Sequence, residues 1–161
     1  MMSNPDFHSP ELVEQYRAGL AEFFKEFPFF KLMGIELVSV EPHRARLRAS
    51  WRPDLCQPAG IMHGGVIATL VDTTIAQSIL LTPEYLEAQQ EGARMVSVDL
   101  RIKYLRPVSE GIVECEAHTP RVGRTISHAT AVVTDANGKE VATGDSIYMI
   151  IGRHQLQKRK A

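Results

Sequence analysis

The residues of this 161-residue chain that are best suited to chemistry lie in one segment, from Gln57 to Asp72. His63-Gly64-Gly65 comes directly before an apolar run with helical spacing, and Asp72 lies inside that run. The first turn of a helix offers N–H groups without intrahelical partners, and these stabilise a developing negative charge. A carboxylate on an apolar helix is costly to bury unless it has a partner or a task. The segment therefore predicts an oxyanion site and an acid–base or nucleophilic group, which together suit acyl transfer.

Helix geometry limits how these groups can cooperate. Gly64 and Asp72 are eight residues apart in the sequence. This spacing corresponds to about 12 Å along a helix, at about 1.5 Å per residue. One substrate carbonyl therefore cannot contact the Gly64 amide and the Asp72 carboxylate of the same helix. If both act on one substrate, the helices of two subunits must lie antiparallel, and a two-fold dimer provides this arrangement with two equivalent sites.

The elements that must position these groups show alternating helical and strand patterns. Ser9-Pro10-Glu11 supplies an N-cap and a proline at the first helical position, and apolar residues then recur with helical spacing. The central helix is apolar around most of its circumference, which predicts that it is buried. The predicted order is a helix over 9–27, strands over 35–40 and 44–51, the central helix over 65–80, a short polar helix over 84–91, and strands over 94–104, 112–118, 125–134 and 141–151.

These elements predict an α+β domain in which a long antiparallel sheet curls around one hydrophobic helix. No crossover helix separates the last four strands, so we expect them to form an antiparallel meander. In the first of these four strands polar residues alternate with apolar ones, which predicts that Ser97 and Asp99 face solvent. The whole chain, 1–161, is expected to be a single domain, with its core over 29–151 and a polar tail over 152–161.

Composition narrows the class of protein. The formal net charge is −1, so whole-chain electrostatics give no case for nucleic acid or an anionic membrane as a partner. No apolar run approaches the length of a membrane span, and the N-terminus lacks the layout of a signal peptide. The two cysteines, Cys56 and Cys115, form no disulfide framework and no zinc-type spacing. We therefore expect a cytoplasmic protein without a metal site, in which Cys115 is a buried free thiol.

Three motifs along the chain form a larger pattern. The first is Gln57-x-x-Gly60-x-x-His63-Gly64-Gly65 followed by Asp72. The second is Ser97-x-Asp99-Leu100-x-Ile102-x-Tyr104-Leu105-Arg106-Pro107, and the third is the turn Gly123-Arg124. In these motifs the chain resembles hotdog-fold acyl-CoA thioesterases of the phenylacetate-type group, within the 4-hydroxybenzoyl-CoA thioesterase superfamily. The resemblance extends over roughly residues 29–151.

The resemblance implies a hotdog fold, in which a curved antiparallel sheet of about six strands wraps the long central helix. It implies hydrolysis of an acyl-CoA to free CoA and a carboxylic acid, with no metal or organic cofactor. It also implies a homodimer as the smallest active unit, usually with two dimers paired into a homotetramer. The insert over 82–93 resembles the branch that acts on medium- and long-chain acyl-CoA, while aryl substrates stay open.

Within such a site each residue of the segment has an expected role. The Gly64 N–H would hold the oxyanion, and Gln57 of the same subunit would orient the carbonyl, the water or the carboxylate. Asp72 of the partner subunit would attack the thioester or act as general base on water, and the sequence does not separate these two roles. Further residues expected to contact the substrate are His63, Gly65, Thr73, Ser97, Arg106 and Arg124, the two arginines through the CoA phosphates.

Structural interpretations and other functions remain open at this stage. Gly64-Gly65 suits a tight corner, His63 suits a hydrogen bond that fixes the loop, and Asp72 suits a salt-bridged acid in the core. A hydratase or dehydratase of enoyl or 3-hydroxyacyl thioesters would need an acid–base pair, for which His63 and Asp72 are the candidates. A non-catalytic acyl-CoA-binding module would keep the fold and the pocket without needing the carboxylate.

Overall fold

The computed structural model describes residues 7–153, so most of the polar tail expected over 152–161 lies outside the described residues. The helices in that range are α1 (Pro10–Glu26), α2 (Pro28–Met33), α3 (Gly64–Leu80) and α4 (Pro83–Gln90), with a short 3₁₀ turn at Pro53–Leu55. The strands are β1 (Ile35–Glu41), β2 (Arg44–Ser50), β3 (Arg94–Tyr104), β4 (Ile112–Val122), β5 (Ile126–Asp135) and β6 (Glu140–Ile151). The predicted α+β class is confirmed.

The six strands form one antiparallel sheet in the order β1-β2-β4-β5-β6-β3. The predicted meander of the last four strands is therefore wrong in its first member, because β3 pairs with β6 and β4 pairs with β2. Helices α3 and α4 carry the chain from β2 to the far edge of the sheet, which leaves the second edge of β2 free for β4. As a result β3 is an edge strand, and its outer edge has no partner strand among the described residues.

Helix α3 lies in the core, as its apolar circumference predicts. Six of its side chains that are at most 5% exposed form part of the main hydrophobic cluster, namely Val66, Ile67, Leu70, Val71, Ile75 and Ile79. The helix packs against β2, β4, β5 and β6, so the curved sheet wraps it. Within 7–153 no single helix is long and apolar enough to cross a membrane; α3 and α4 pass such a test only as a pair, which is bent by 82°.

The N-terminal helix begins where its sequence predicts and ends one residue earlier. The Ser9 hydroxyl accepts a hydrogen bond from the Leu12 N–H at 3.2 Å, which caps the first turn of α1. Pro28 does not simply stop the chain, because it is the first residue of the short helix α2. The rings of Phe24 and Phe30 stack with centroids 4.4 Å apart and join the two helices.

A β-bulge in β3 changes which side chains face the helix. Ser97 pairs with Tyr148 on β6, but Asp99 pairs with Ile147, so Val98 is an extra residue in the ladder. Directly paired residues share a face of the sheet, so Ser97 lies on the same face as Tyr148, whereas Asp99 lies on the opposite face. Ser97 and Asp99 are both exposed, as predicted, but they lie on opposite faces of the sheet, because one inserted residue shifts the alternation by one position.

Candidate active site

The first turn of α3 leaves one backbone donor free. His63 is the N-cap residue, and its Nδ1 accepts a hydrogen bond from the Gly65 N–H at 2.9 Å. The N–H groups of Val66 and Ile67 donate to the His63 carbonyl, at 2.9 and 3.4 Å. In the part of the chain that the structure describes, the Gly64 N–H has no acceptor. The positive end of the helix dipole therefore presents a single unpaired amide at Gly64.

Tyr104, at the end of β3, packs directly against this amide. Its hydroxyl donates to the Gly64 carbonyl at 2.9 Å. A Cβ on residue 64 would stand 3.1 Å from the Cζ atom of the Tyr104 ring, which is closer than an ordinary van der Waals contact, so a larger residue would push against the ring. Glycine is thus favoured at position 64 by the close approach of a side chain rather than by a positive φ.

A pocket of about 400 Å³ opens beside the Gly64 amide. Gln57 and Arg106, both expected to belong to the site, line it together with Gly64 and Tyr104. Hydrogen bonds in the preceding turn fix the Gln57 backbone, since its N–H donates to Ile61 and its carbonyl accepts from Gly60, both at 2.9 Å. The Arg106 guanidinium donates to the Glu140 carbonyl and is exposed. The structure therefore brings three of the expected residues to one pocket.

Asp72 lies in the middle of α3 and is bonded to a residue that the sequence did not single out. The Tyr148 hydroxyl lies 2.7 Å from the Asp72 Oδ1 atom and 2.9 Å from its carbonyl oxygen. Tyr148 is 4% exposed, and this burial, with the neighbouring carboxylate, raises the pKa of its phenol far above the usual range. Thr73, next along the helix, is buried. The Asp72 carboxylate is therefore held by a phenol that stays protonated.

The Gly64 pocket and the Asp72 carboxylate are separate within one chain. Asp72 does not line the pocket beside Gly64, and both residues belong to α3. This agrees with the separation of about 12 Å that helix rise gives for eight residues. One chain thus carries the predicted oxyanion corner and the predicted catalytic carboxylate in two separate places, which we call the two half-sites.

Arg124 lies in a different place from the other expected residues. It follows Gly123, where a Cβ would stand 2.4 Å from the Ile126 carbonyl oxygen, so the turn between β4 and β5 requires glycine. Arg124 lines two adjoining pockets beside α4, which also contain the carboxylates of Glu84, Glu87 and Glu91. Carboxylates repel a phosphate, so these surroundings disfavour phosphate binding at Arg124.

Ser97 is exposed and lies on the same face of the sheet as Tyr148, the residue that is bonded to Asp72. Its cross-strand partner is Tyr148, and its hydroxyl lies 3.3 Å from that of Ser146 on β6. The sequence reasoning missed Tyr148 and Tyr104 because each acts through a contact between elements distant in sequence. The only local signal for Tyr148 is its alternation with buried Ser146 and Ile150 along β6.

Within 7–153 no group of three His, Cys, Asp or Glu side chains is placed to hold a metal ion.

Comparison with known proteins adds a family to this geometry. The family model of the thioesterase superfamily matches residues 59–142, which is more than half of the chain. Acyl-coenzyme A thioesterase 13 of Mus musculus is 32% identical over 113 residues, covering 68% of this chain and 75% of that protein. The medium/long-chain acyl-CoA thioesterase YigI of Salmonella typhimurium is 28% identical over 139 residues, covering 80% and 88%. The structure of thioesterase HI1161 from Haemophilus influenzae matches with a TM-score of 0.72 at 22% identity, covering 84% and 90%.

The chain therefore belongs to the thioesterase superfamily, and its fold is the hotdog fold expected from the three motifs. The class is that of thioester hydrolases. The family match at 59–142 contains the Gly64 corner, Asp72 and the whole of β3, so the two half-sites lie inside the region that defines the family.

Proposed function

We propose that this protein hydrolyses an acyl-CoA thioester to free CoA and a carboxylic acid. The observation that carries the proposal is the unpaired Gly64 amide at the edge of a pocket that also contains Gln57. An amide that points into a pocket at a helix N-terminus stabilises the oxyanion of an acyl transfer. Two relatives whose names specify acyl-CoA as the substrate support the choice of thioester.

The reaction needs both half-sites at one carbonyl. The Gly64 N–H polarises the thioester oxygen, and the Gln57 amide orients the group that attacks the carbonyl carbon. The Asp72 carboxylate of a second copy acts there, either as general base on water or as the nucleophile of a mixed anhydride that water then hydrolyses. In both routes the C–S bond breaks, one water is consumed, and the CoA sulfur takes up a proton; the oxygen of water ends in the carboxylic acid when water attacks the acyl carbon.

A two-fold dimer brings the second copy into place. The outer edge of β3 is unpaired among the described residues, and Val96 and Val98 on this strand are 41% and 50% exposed. An exposed apolar edge strand favours pairing with another strand. Pairing of β3 with its own copy about a two-fold axis joins two sheets and sets the two α3 helices antiparallel. The pairing of dimers into a tetramer stays a prediction from the family resemblance.

The substrate extends from the Gly64 pocket in two directions. Arg106 lies at the pocket with an exposed guanidinium, which suits a CoA phosphate. Arg124 is the weaker candidate for that role because of its acidic neighbours. The acyl group lies between α3 and the second subunit, and the name of the YigI relative favours a medium or long chain over an aryl group.

Release of free thiol from a panel of acyl-CoA substrates tests the proposal. Wild type is expected to turn over at least one chain-length class, and Asp72→Asn is expected to lose most of that activity. The matched control is Asp145→Asn, because Asp145 is also half-buried but is bonded to Arg101 on β3. Full activity in Asp72→Asn would refute the role of Asp72.

The two rival functions give different results in the same assay. A hydratase would convert crotonyl-CoA without releasing thiol, and a binding module would bind acyl-CoA stoichiometrically without turnover. The His63 ring already accepts the Gly65 N–H, so it serves the helix as a cap and is poorly placed to be half of an acid–base pair.

A further inference from the structure

Tyr148 is the residue that touches the Asp72 carboxylate. It lies on β6 and is 4% exposed. Its hydroxyl is 2.7 Å from Asp72 Oδ1 and 2.9 Å from the Asp72 carbonyl oxygen. A hydroxyl has one proton to donate, and the carboxylate is both the closer and the stronger acceptor. The phenol proton therefore points mainly at Oδ1.

The sheet holds the phenol in that position. Tyr148 is paired with Ser97 on β3 and with Ser127 on β5, so small side chains stand on both sides of its ring on the same face. Ser127 is 1% exposed, and its hydroxyl has no hydrogen-bond partner among the described residues. The ring is thus enclosed between two strands and aimed at the middle of α3.

Toward Asp72 the phenol acts as a donor and not as a base. Its burial raises its pKa far above the usual range, so it keeps its proton at every pH at which the enzyme would be assayed. It cannot serve as a base, and it has no path to deliver a proton without leaving a buried phenolate. What it can do is fix the direction of its acceptor.

We propose that Tyr148 is a positioning residue that fixes the Asp72 carboxylate for attack or proton abstraction at the thioester. Its hydroxyl occupies a lone pair of Oδ1 and leaves Oδ2 to face the reacting carbon or the water. The inference rests on the proposed function of Asp72 and adds to it the group that sets the rotamer of this carboxylate.

The contact with the Asp72 carbonyl offers a competing, structural role, in which Tyr148 only ties β6 to α3. Kinetics distinguish the two roles in Tyr148→Phe, which keeps the ring and its packing. A positioning role predicts a fall in kcat of about tenfold or more with KM nearly unchanged, since small displacements of a reacting group are costly. A matched control is Tyr85→Phe, because Tyr85 is also buried but lies on α4 beside Met95.

A double-variant cycle with Asp72→Asn makes the test decisive. If Tyr148 acts through Asp72, Tyr148→Phe has no further effect on kcat in the Asp72→Asn background. If Tyr148→Phe lowers kcat by the same factor in the wild type and in Asp72→Asn, the inference is overturned. It is also overturned if Tyr148→Phe keeps the wild-type kcat while Asp72→Asn is inactive. Full activity in Asp72→Asn would instead refute the proposed function itself.

A crystal structure of Tyr148→Phe gives a readout that does not depend on turnover. The expected result is an Asp72 side chain in a new rotamer or in several, with the α3 backbone in place. An Asp72 carboxylate that keeps its direction without the phenol would overturn the inference.

Discussion

The Tyr104 hydroxyl donates to the Gly64 carbonyl at 2.9 Å, and the Tyr104 ring lies 3.1 Å from the place where a Cβ on residue 64 would be. The carbonyl of Gly64 is thus tied to β3, while the N–H of the same residue remains free. The end of β3 therefore fixes the orientation of the helix start from one side and His63 fixes it from the other.

Gly64→Ala is expected to lower kcat/KM by about tenfold or more without lowering stability, because the new Cβ must displace the Tyr104 ring. Thiol release and thermal unfolding measure the two effects. The control is Gly19→Ala in α1, where a Cβ meets nothing within 4 Å. It should leave activity unchanged and stabilise the protein by about 0.5–1 kcal/mol. Unchanged kcat/KM in Gly64→Ala would argue against an oxyanion site at this amide.

His63 is expected to serve as a cap rather than as a base. His63→Ala removes the acceptor of the Gly65 N–H and should cost about 1 kcal/mol of stability, with a several-fold loss of activity as the helix start loosens. His63→Asn supplies another capping oxygen and should retain most of the stability and most of the activity. Urea unfolding and thiol release measure these changes. An inactive but stable His63→Asn would show that the imidazole takes part in the chemistry.

The sequence predicted those parts of the site that depend on neighbours along the chain. A hydrogen bond that fixes the loop at His63, the central helix over 65–80 and the separation of Gly64 from Asp72 follow from local contacts, periodicity and helix rise. The position of β3 and the phenol on Asp72 depend on pairing between distant strands, which no local pattern encodes. The placement of Ser97 and Asp99 on one face of β3 was wrong because of a single bulge residue, since a shift of one position reverses the faces of a strand.

The two cysteines are expected to differ in reactivity. Cys115 is fully buried, as predicted, and burial raises the pKa of its thiol to about 12. Because the thiolate is the reactive form, Cys115 should react with a disulfide reagent at pH 8 only after unfolding, whereas half-buried Cys56 reacts in the native protein. Labelling of Cys56→Ala and Cys115→Ala assigns each reaction. Rapid labelling of native Cys56→Ala would contradict the burial of Cys115.

The same thiol should make the protein less stable in alkali. Its pKa is higher folded than unfolded, so its stabilising contribution is complete below about pH 9 and is lost as the pH rises from about 9 to about 12. Between pH 9 and 10 this loss amounts to about 1 kcal/mol. Urea unfolding at the two pH values measures the free energy of unfolding. It should fall by about 1 kcal/mol more in Cys56→Ala, which keeps the buried thiol, than in Cys115→Ala, which lacks it. Equal falls in the two variants would refute this effect of the Cys115 thiol.

The free edge of β3 is expected to be the dimer contact. Val98 is the bulge residue of this strand and is 50% exposed, so Val98→Asp places a charge where a second β3 would pair. The variant should sediment as a monomer and lose its thioesterase activity although every site residue is intact. The control is Val38→Asp, because Val38 is the bulge residue of the opposite edge strand, β1, and is 39% exposed. A fully active Val98→Asp monomer would refute a shared site.

Mixing two inactive variants tests whether the half-sites come from different subunits. Asp72→Asn lacks the carboxylate, and Gly64→Val distorts the amide corner because its side chain meets the Tyr104 ring. When the two are refolded together from urea in equal amounts, half of the dimers contain one copy of each. Each mixed dimer has one site with an intact Gly64 and an intact Asp72, and one site with neither. If each active site uses both subunits, the mixture should recover about a quarter of the wild-type activity, because a two-fold dimer contains two sites. A mixture that stays as inactive as its components would mean that each chain supplies its own complete site.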